Sequence, residues 1–271
     1  MKFKIDHDYH IHSYLSKCSK DPEQNFERIL RYAGENGYAE ICLTDHYWDS
    51  SVECRSPFYA TQNFEHVNRA NPLPRADGIK FFFGCETDMD MSFNIGIPRE
   101  RYADFDFIVV PTTHMHMSGF TISHEDAESN EGRARVWVER LRAVLASDLP
   151  FEKVGIAHLA CPHVDKRSRE DYLKTLSLIP YSDMEELFTR AAALGCGIEL
   201  NQSDMNFSDE EADTVLRPFR IAKASGCKFY LGSDAHHPKR FDTTKIVLER
   251  AVSMLGLTED DKYRIPSTNK A

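Results

Sequence analysis

The residues best equipped for chemistry in this 271-residue chain are its histidines and carboxylates. They fall in short motifs. These are Asp8-Tyr9-His10-Ile11-His12-Ser13, Thr44-Asp45-His46, Gly84-Cys85-Glu86, Thr113-His114-Met115-His116, Ala157-His158, Glu199 with Asn201, and Gly232-Ser233-Asp234-Ala235-His236-His237. Neutral imidazole and carboxylate are ligands for zinc, iron and manganese. His10 and His12 are two apart, so on an extended strand both point to one side, as do Asp234 and His236. A lone histidine of this kind is more often an ordinary core residue. Many such groups side by side are costly to bury unless cations pair them.

Short β-branched or aromatic runs alternate with longer segments of helical period. The runs are 3–9, 40–44, 79–85, 107–112, 154–157, 197–200 and 228–231. A first helix is expected from Pro22 to Gly37, with Ser19 or Asp21 as its N-cap. Others are expected near 131–146, 182–194, 209–224 and 243–255. The chemical motifs sit at or just past the C-terminal ends of the runs, where parallel α/β folds gather function. Strand–helix alternation predicts parallel strands with right-handed crossovers, in an open sheet or a closed barrel. No G-x-G-x-x-G follows the first run, which counts against a dinucleotide-binding sheet. Residues 47–78 form a long polar insertion with Pro57, Pro72 and Pro74. Such segments are usually active-site loops or lids. Tyr47 and Trp48 at its start are candidates to wall a substrate pocket.

The charge balance is 33 Lys+Arg against 43 Asp+Glu, a net -10. General nucleic-acid binders and anionic-membrane binders need a cationic surface, so both are disfavoured. No apolar run reaches the roughly 18 residues of a membrane span. The N-terminus turns acidic at Asp6 before any apolar core, unlike a signal peptide. Seven cysteines, an odd number without a C-x-x-C pair, read as free thiols of a reducing cytoplasm. Lys166-Arg167-Ser168-Arg169 and Lys239-Arg240 both follow strand ends. Arg167 and Arg240 are the candidates to hold a phosphate, since a guanidinium binds phosphate oxygens bidentately.

The ordered set of motifs, spanning residues 8 to 236, resembles the PHP (polymerase and histidinol phosphatase) superfamily. The resemblance implies an α/β fold, a distorted (β/α)7 barrel over residues 1–271 with the 47–78 insertion. It implies two or three divalent ions (Zn, Fe or Mn) at the C-terminal ends of the strands. Carried over, His10 and His12 hold a first ion with Glu86 and Asp234. Glu86 bridges to a second, completed by His158 and by His114, which lies closer to its strand than His116. His46 and His236 hold a third. Where the family commonly has another histidine, this chain has Cys18, and a thiolate would favour zinc or iron over magnesium; if Cys18 is a plain loop thiol, the third site is weak and is completed by Asp21 or is empty. Glu199 has a family counterpart and is expected, with Asp45, His116 and His237, to support the ligands rather than be one. The implied activity is hydrolysis of a small phosphomonoester such as histidinol phosphate. Asp234 acts through its ion, and His236, His237 or His46 protonates the leaving group. A PHP-type exonuclease and a phosphotyrosine phosphatase are the related alternatives. An amidohydrolase is a further one, though it would have eight strands and a bridging lysine.

Overall fold

The apolar runs become parallel strands around a ring. The computed structural model describes residues 1–54 and 56–266. Its strands are β1 (His7–Ile11), β2 (Glu40–Leu43), β3 (His46–Tyr47), β4 (Lys80–Thr87), β5 (Phe107–Pro111), β6 (Val154–Ala157), β7 (Gly197–Asn201) and β8 (Lys228–Gly232). They pair in the order β1-β2-β4-β5-β6-β7-β8, with β3 also on β4. β2 lies against Lys80–Phe83 and β3 against Glu86–Thr87, so the two are halves of one strand broken at Thr44 and Asp45. Seven strand positions result.

The ring closes between β8 and β1. At the top, Asp234 N–H donates to His10 O at 2.7 Å and His12 N–H to Ala235 O at 3.3 Å. Below, side chains replace the ladder. Leu231 N–H donates to His7 Nε2 at 3.1 Å and Ser233 N–H to Asp8 Oδ1 at 3.0 Å. The product is a nearly closed, distorted (β/α)7 barrel.

The helices are α1 (Phe26–Asn36), α2 (Phe64–Val67), α3 (His124–Ala127), α4 (Asn130–Ala146), α5 (Arg169–Leu178), α6 (Tyr181–Leu194), α7 (Ala212–Val215), α8 (Arg217–Ala224) and α9 (Phe241–Leu255). Their apolar faces, with residues such as Tyr32, Trp137, Leu141, Phe188 and Phe219, form the core outside the ring. Inside it, Tyr9, Phe82, Phe107 and Tyr230 stack over Tyr263 and fill the lower barrel. Gly155 makes room for them, because a Cβ there would lie 2.5 Å from both Phe107 Cζ and Tyr230 Oη.

Several elements depart from expectation. The first strand begins at His7, because Phe3 to Asp6 pack against the C-terminal segment, where Lys262 Nζ donates to Lys4 O and Asp6. The first helix begins at Phe26 under an Asn25 cap. Gln24 is held out of it, donating to His12 O at 2.6 Å and Ala235 O at 2.9 Å across the seam. The segment 209–224 is two helices around Leu216, with Pro218 in the first turn of the second, where a proline fits but cannot continue a helix from upstream. α5 is an additional helix, started by Ser168, whose side chain accepts from Asp171 N–H at 2.9 Å.

His7 is the weakest point of the seam to remove. His7→Leu leaves the buried Leu231 N–H without an acceptor, a loss of about 1–3 kcal/mol. Urea unfolding of the metal-free protein measures it, and an unchanged midpoint would show that the side-chain seam carries no stability.

Candidate metal centre

Glu86 projects from the upper half of β4 into a ring of imidazoles. Its Oε1 lies 3.5 Å from His10 Nε2, 3.5 Å from His158 Nε2 and 4.0 Å from His114 Nε2. Its Oε2 lies 3.4 Å from His12 Nε2 and 2.7 Å from His46 Nδ1. Asp234 faces it from the end of β8. Asp234 Oδ1 is 3.6 Å from His10 Nε2, 3.2 Å from His12 Nε2 and 3.4 Å from His236 Nδ1, and Oδ2 is 3.6 Å from His158 Nε2.

The local backbone is shaped for this convergence. A register irregularity in β1 between Asp8 and Ile11 lets Tyr9 fill the barrel and His10, the next residue, still face the centre. His158 and Asp234 have φ of 62° and 50°, in the left-handed region that non-glycine residues rarely adopt. Gly232 keeps the wall thin, since a Cβ there would collide with the Glu199 carboxylate.

An outer layer fixes the rings. His10 Nδ1–H donates to Glu199 Oε1 at 2.7 Å and His114 Nδ1–H to Asp88 Oδ2 at 2.9 Å. His12 Nδ1 meets Ser16 Oγ at 2.8 Å, and that hydroxyl donates to Asp45 Oδ1 at 2.7 Å. Each bond keeps a ring proton on Nδ1 and turns Nε2 inward, as for a metal-binding histidine. Asp88 is itself held by the fully buried Arg140, whose Nη2 donates to Oδ1 at 2.9 Å.

Burial disfavours the His10 imidazolium, but Glu199 and Glu86 outweigh it and hold the ring up to about 10. Burial works against the Glu86 carboxylate as well, and His46 and His10 reverse that, keeping it well below the usual carboxylate range. His116 goes the other way: burial, with His114 adding to it, lowers the ring to about 3, so it is neutral.

The donors fit divalent ions. Both Glu86 oxygens and both His158 ring nitrogens are buried without a hydrogen bond, a costly state unless another partner takes them. Ligand atoms of His10, His12 and Asp234, of His10, Glu86 and His158, and of His12, His46 and His236 lie within 4.8 Å of one another in each set. Cys161 forms a further such set with His158 and Asp204.

A cavity of about 600 Å³ opens above this floor. Of the residues singled out in the sequence, Cys18, His46, His114, His116, Asp234, His236, His237 and Arg240 line it. His114 faces Glu86, whereas His116 packs on His163 with ring centroids 4.1 Å apart. Arg240 Nη2 donates to Ser203 Oγ at 2.7 Å. Arg167 is not brought to the cavity. The loop after β6 folds it onto Asp165, with Nη2 to Oδ2 at 2.6 Å, and onto Glu128 O at 2.7 Å. Tyr47 and Trp48 do not line it either. They pack on Phe105 and Phe120, and Phe58 and Tyr59 form the wall instead.

Asp88, Asp204 and Ser16 are not evident as site residues from the motifs alone. Asp88 carries a signal, being two residues past Glu86 and so on the same face of a strand. Asp204 and Ser16 carry none, since loops bring them in.

Residues 8–203 match the PHP domain family. The chain belongs to that family, and it is a metal-dependent phosphoesterase. A protein of Caldicellulosiruptor bescii described as a probable phosphatase is 23% identical over 214 residues, 79% of this chain and 73% of that one. The fold is similar to that of histidinol phosphate phosphatase from Lactococcus lactis subsp. lactis, solved with zinc, L-histidinol and phosphate. That likeness has a TM-score of 0.62 at 19% identity and covers 96% of this chain and 98% of that one.

Two outcomes follow from the ring of imidazoles. Because His10 is protonated below about pH 10 in the metal-free protein, ion uptake at pH 8 must displace that proton, and affinity must rise with pH toward that value. Calorimetry in buffers of different ionisation enthalpy reads the release, and identical heats would refute it. Glu199→Gln lowers metal affinity about 10–100-fold, read by chelator competition, without lowering the melting temperature of the metal-free protein.

Proposed function

We propose that this protein hydrolyses a small phosphomonoester, with histidinol phosphate the first compound to test, and that residues 1–271 are one barrel domain with its insertion at 47–78. Residues 267–271 lie outside the described residues. The observation that carries the reading is the Glu86–Asp234 pair among imidazoles at the floor of a cavity that also holds Arg240. The family membership and the fold likeness support it. The seven free cysteines favour a reducing compartment such as the cytoplasm.

In this reading His10, His12, Glu86 and Asp234 hold one ion, Glu86, His114 and His158 a second, and His46 and His236 a third. Zinc, iron or manganese, when bound, neutralises phosphoryl charge and lowers the pKa of a coordinated water towards about 7. The chain does the rest. Arg240 turns its guanidinium from Ser203 to the phosphoryl oxygens. His237, paired with Asp21 at 3.0 Å, is the proton donor for the leaving oxygen, since His236 is engaged as a ligand. Phe58, Tyr59 and Met117 keep water from the leaving group. A cavity of this size admits a small metabolite ester.

A phosphate-release screen over amino-alcohol, sugar, nucleoside and aryl phosphates, joined to metal analysis, tests the function. No release from any ester by the fully metal-loaded protein would refute it. Asp234→Ala and Glu86→Ala are expected to lose at least about 1,000-fold in kcat/KM together with bound metal. Arg240→Ala is expected to raise KM about 10–100-fold, the worth of one charge-assisted hydrogen bond, with metal content unchanged.

A further inference from the structure

Asp88 differs from the other carboxylates that steady the imidazoles, because donors crowd both of its oxygens. Oδ1 accepts from Arg140 Nη2 at 2.9 Å and from Met89 N–H at 2.7 Å. Oδ2 accepts from His114 Nδ1–H at 2.9 Å and from the Tyr59 hydroxyl at 3.2 Å. A carboxylate offers about four acceptor positions, so none is spare. Among the described residues Glu199 Oε1, by contrast, receives only the His10 ring proton. Tyr59 therefore meets the site twice. Its ring lines the cavity and packs on Trp48 and Phe120, with centroids 5.5 and 5.9 Å away. Its hydroxyl ends on the oxygen that serves His114. That hydroxyl is not needed to aim Asp88. Arg140 is fully buried, is itself fixed on Thr112 O, Met89 O and Thr121 O, and holds the carboxylate from the other oxygen.

We propose that Tyr59 is a positioning residue of the metal centre: by sharing Asp88 Oδ2 it limits how strongly that carboxylate draws on the His114 ring proton. It rests on the reading in which Glu86, His114 and His158 hold an ion, and specifies what sets the strength of that site. A ring whose Nδ1–H is held more strongly gives more charge through Nε2 and binds its ion more tightly. An ion that receives more charge is the weaker Lewis acid. Tyr59 thus keeps the ion at His114 less tightly bound and more electrophilic. The residue of the 47–78 insertion that bounds the cavity also tunes the ion beneath it.

Tyr59→Phe tests this, because it keeps the ring and removes the hydroxyl. Zinc affinity is read by chelator competition, with the melting temperature of the metal-free protein as the check of folding. Tyr59→Phe is expected to hold the zinc ion that His114→Ala loses about 2–10-fold more tightly than wild type, the range set by one hydrogen bond. Its kcat is expected to fall at unchanged KM. Asp88→Asn is expected to move affinity the other way, weakening zinc about 10–100-fold. In the His114→Ala background the remaining zinc is expected to bind equally with and without the hydroxyl. A role in packing alone would instead lower affinity and melting temperature together. Weaker or unchanged zinc binding in Tyr59→Phe overturns the proposal. So does an equal gain in the His114→Ala background, a kcat no lower than that of wild type, or full zinc affinity in Asp88→Asn. In each of these cases phosphate release by wild type would persist and the phosphoesterase reading would stand. A wild-type protein that takes up no zinc and releases no phosphate would instead fail that reading.

Discussion

A buried carboxylate among imidazoles is the constraint around which this molecule is built. Glu86 is almost fully buried and accepts no hydrogen bond, yet imidazole nitrogens from four other strand ends lie within 4.0 Å of its oxygens. In an apolar interior such a group would take up a proton and lose its charge. Here the surrounding rings keep it ionised. Three of the rings, His10, His114 and His12, turn Nε2 inward because Glu199, Asp88 and the Ser16–Asp45 pair take their Nδ1 protons. A centre with this many nitrogen and oxygen donors is electrically satisfied by cations more fully than by protons, and the phosphoesterase chemistry of the family follows from that.

The barrel exists to hold these groups at one height. Seven parallel strand positions deliver their C-terminal residues to one rim, and aromatic side chains fill the space beneath. Where a regular strand would send a residue away, the backbone departs from regularity, as in the irregularity of β1 and the left-handed φ of His158 and Asp234. The β1–β8 seam is closed partly by His7 and Asp8. Strand and site therefore share residues, and the first motif does structural and chemical duty within six positions. The acidic excess read from the sequence belongs in part to this interior and not to the surface.

Most of the ligand set is legible along the chain, because strand ends in a parallel α/β fold are identifiable from runs of apolar residues, and the motifs sit beside them. The cavity walls are not. Tyr47 and Trp48 resemble wall residues by their place after His46, but strand pairing of β3 with β4 turns Tyr47 into the core, and Trp48 packs against Phe120. Phe58 and Tyr59, about ten residues further along, face the cavity instead. Arg167 and Arg240 carry the same expectation from their positions after strand ends. The difference between them is a neighbour, Asp165, which captures one guanidinium, whereas the other rests on the neutral Ser203.

The sequence by itself determined the α/β alternation, the family and the identity of the histidines and carboxylates at the strand ends, because periodicity and motif spacing are local properties. Tertiary structure alone decided which ring each carboxylate orients, which arginine remains available to the cavity, and that Phe58 and Tyr59 form its wall. Those relations join residues far apart in the chain: Glu199 and His10 are 189 positions apart and His236 and His46 are 190. Closing the barrel sets such distances, and no pattern along the chain encodes them.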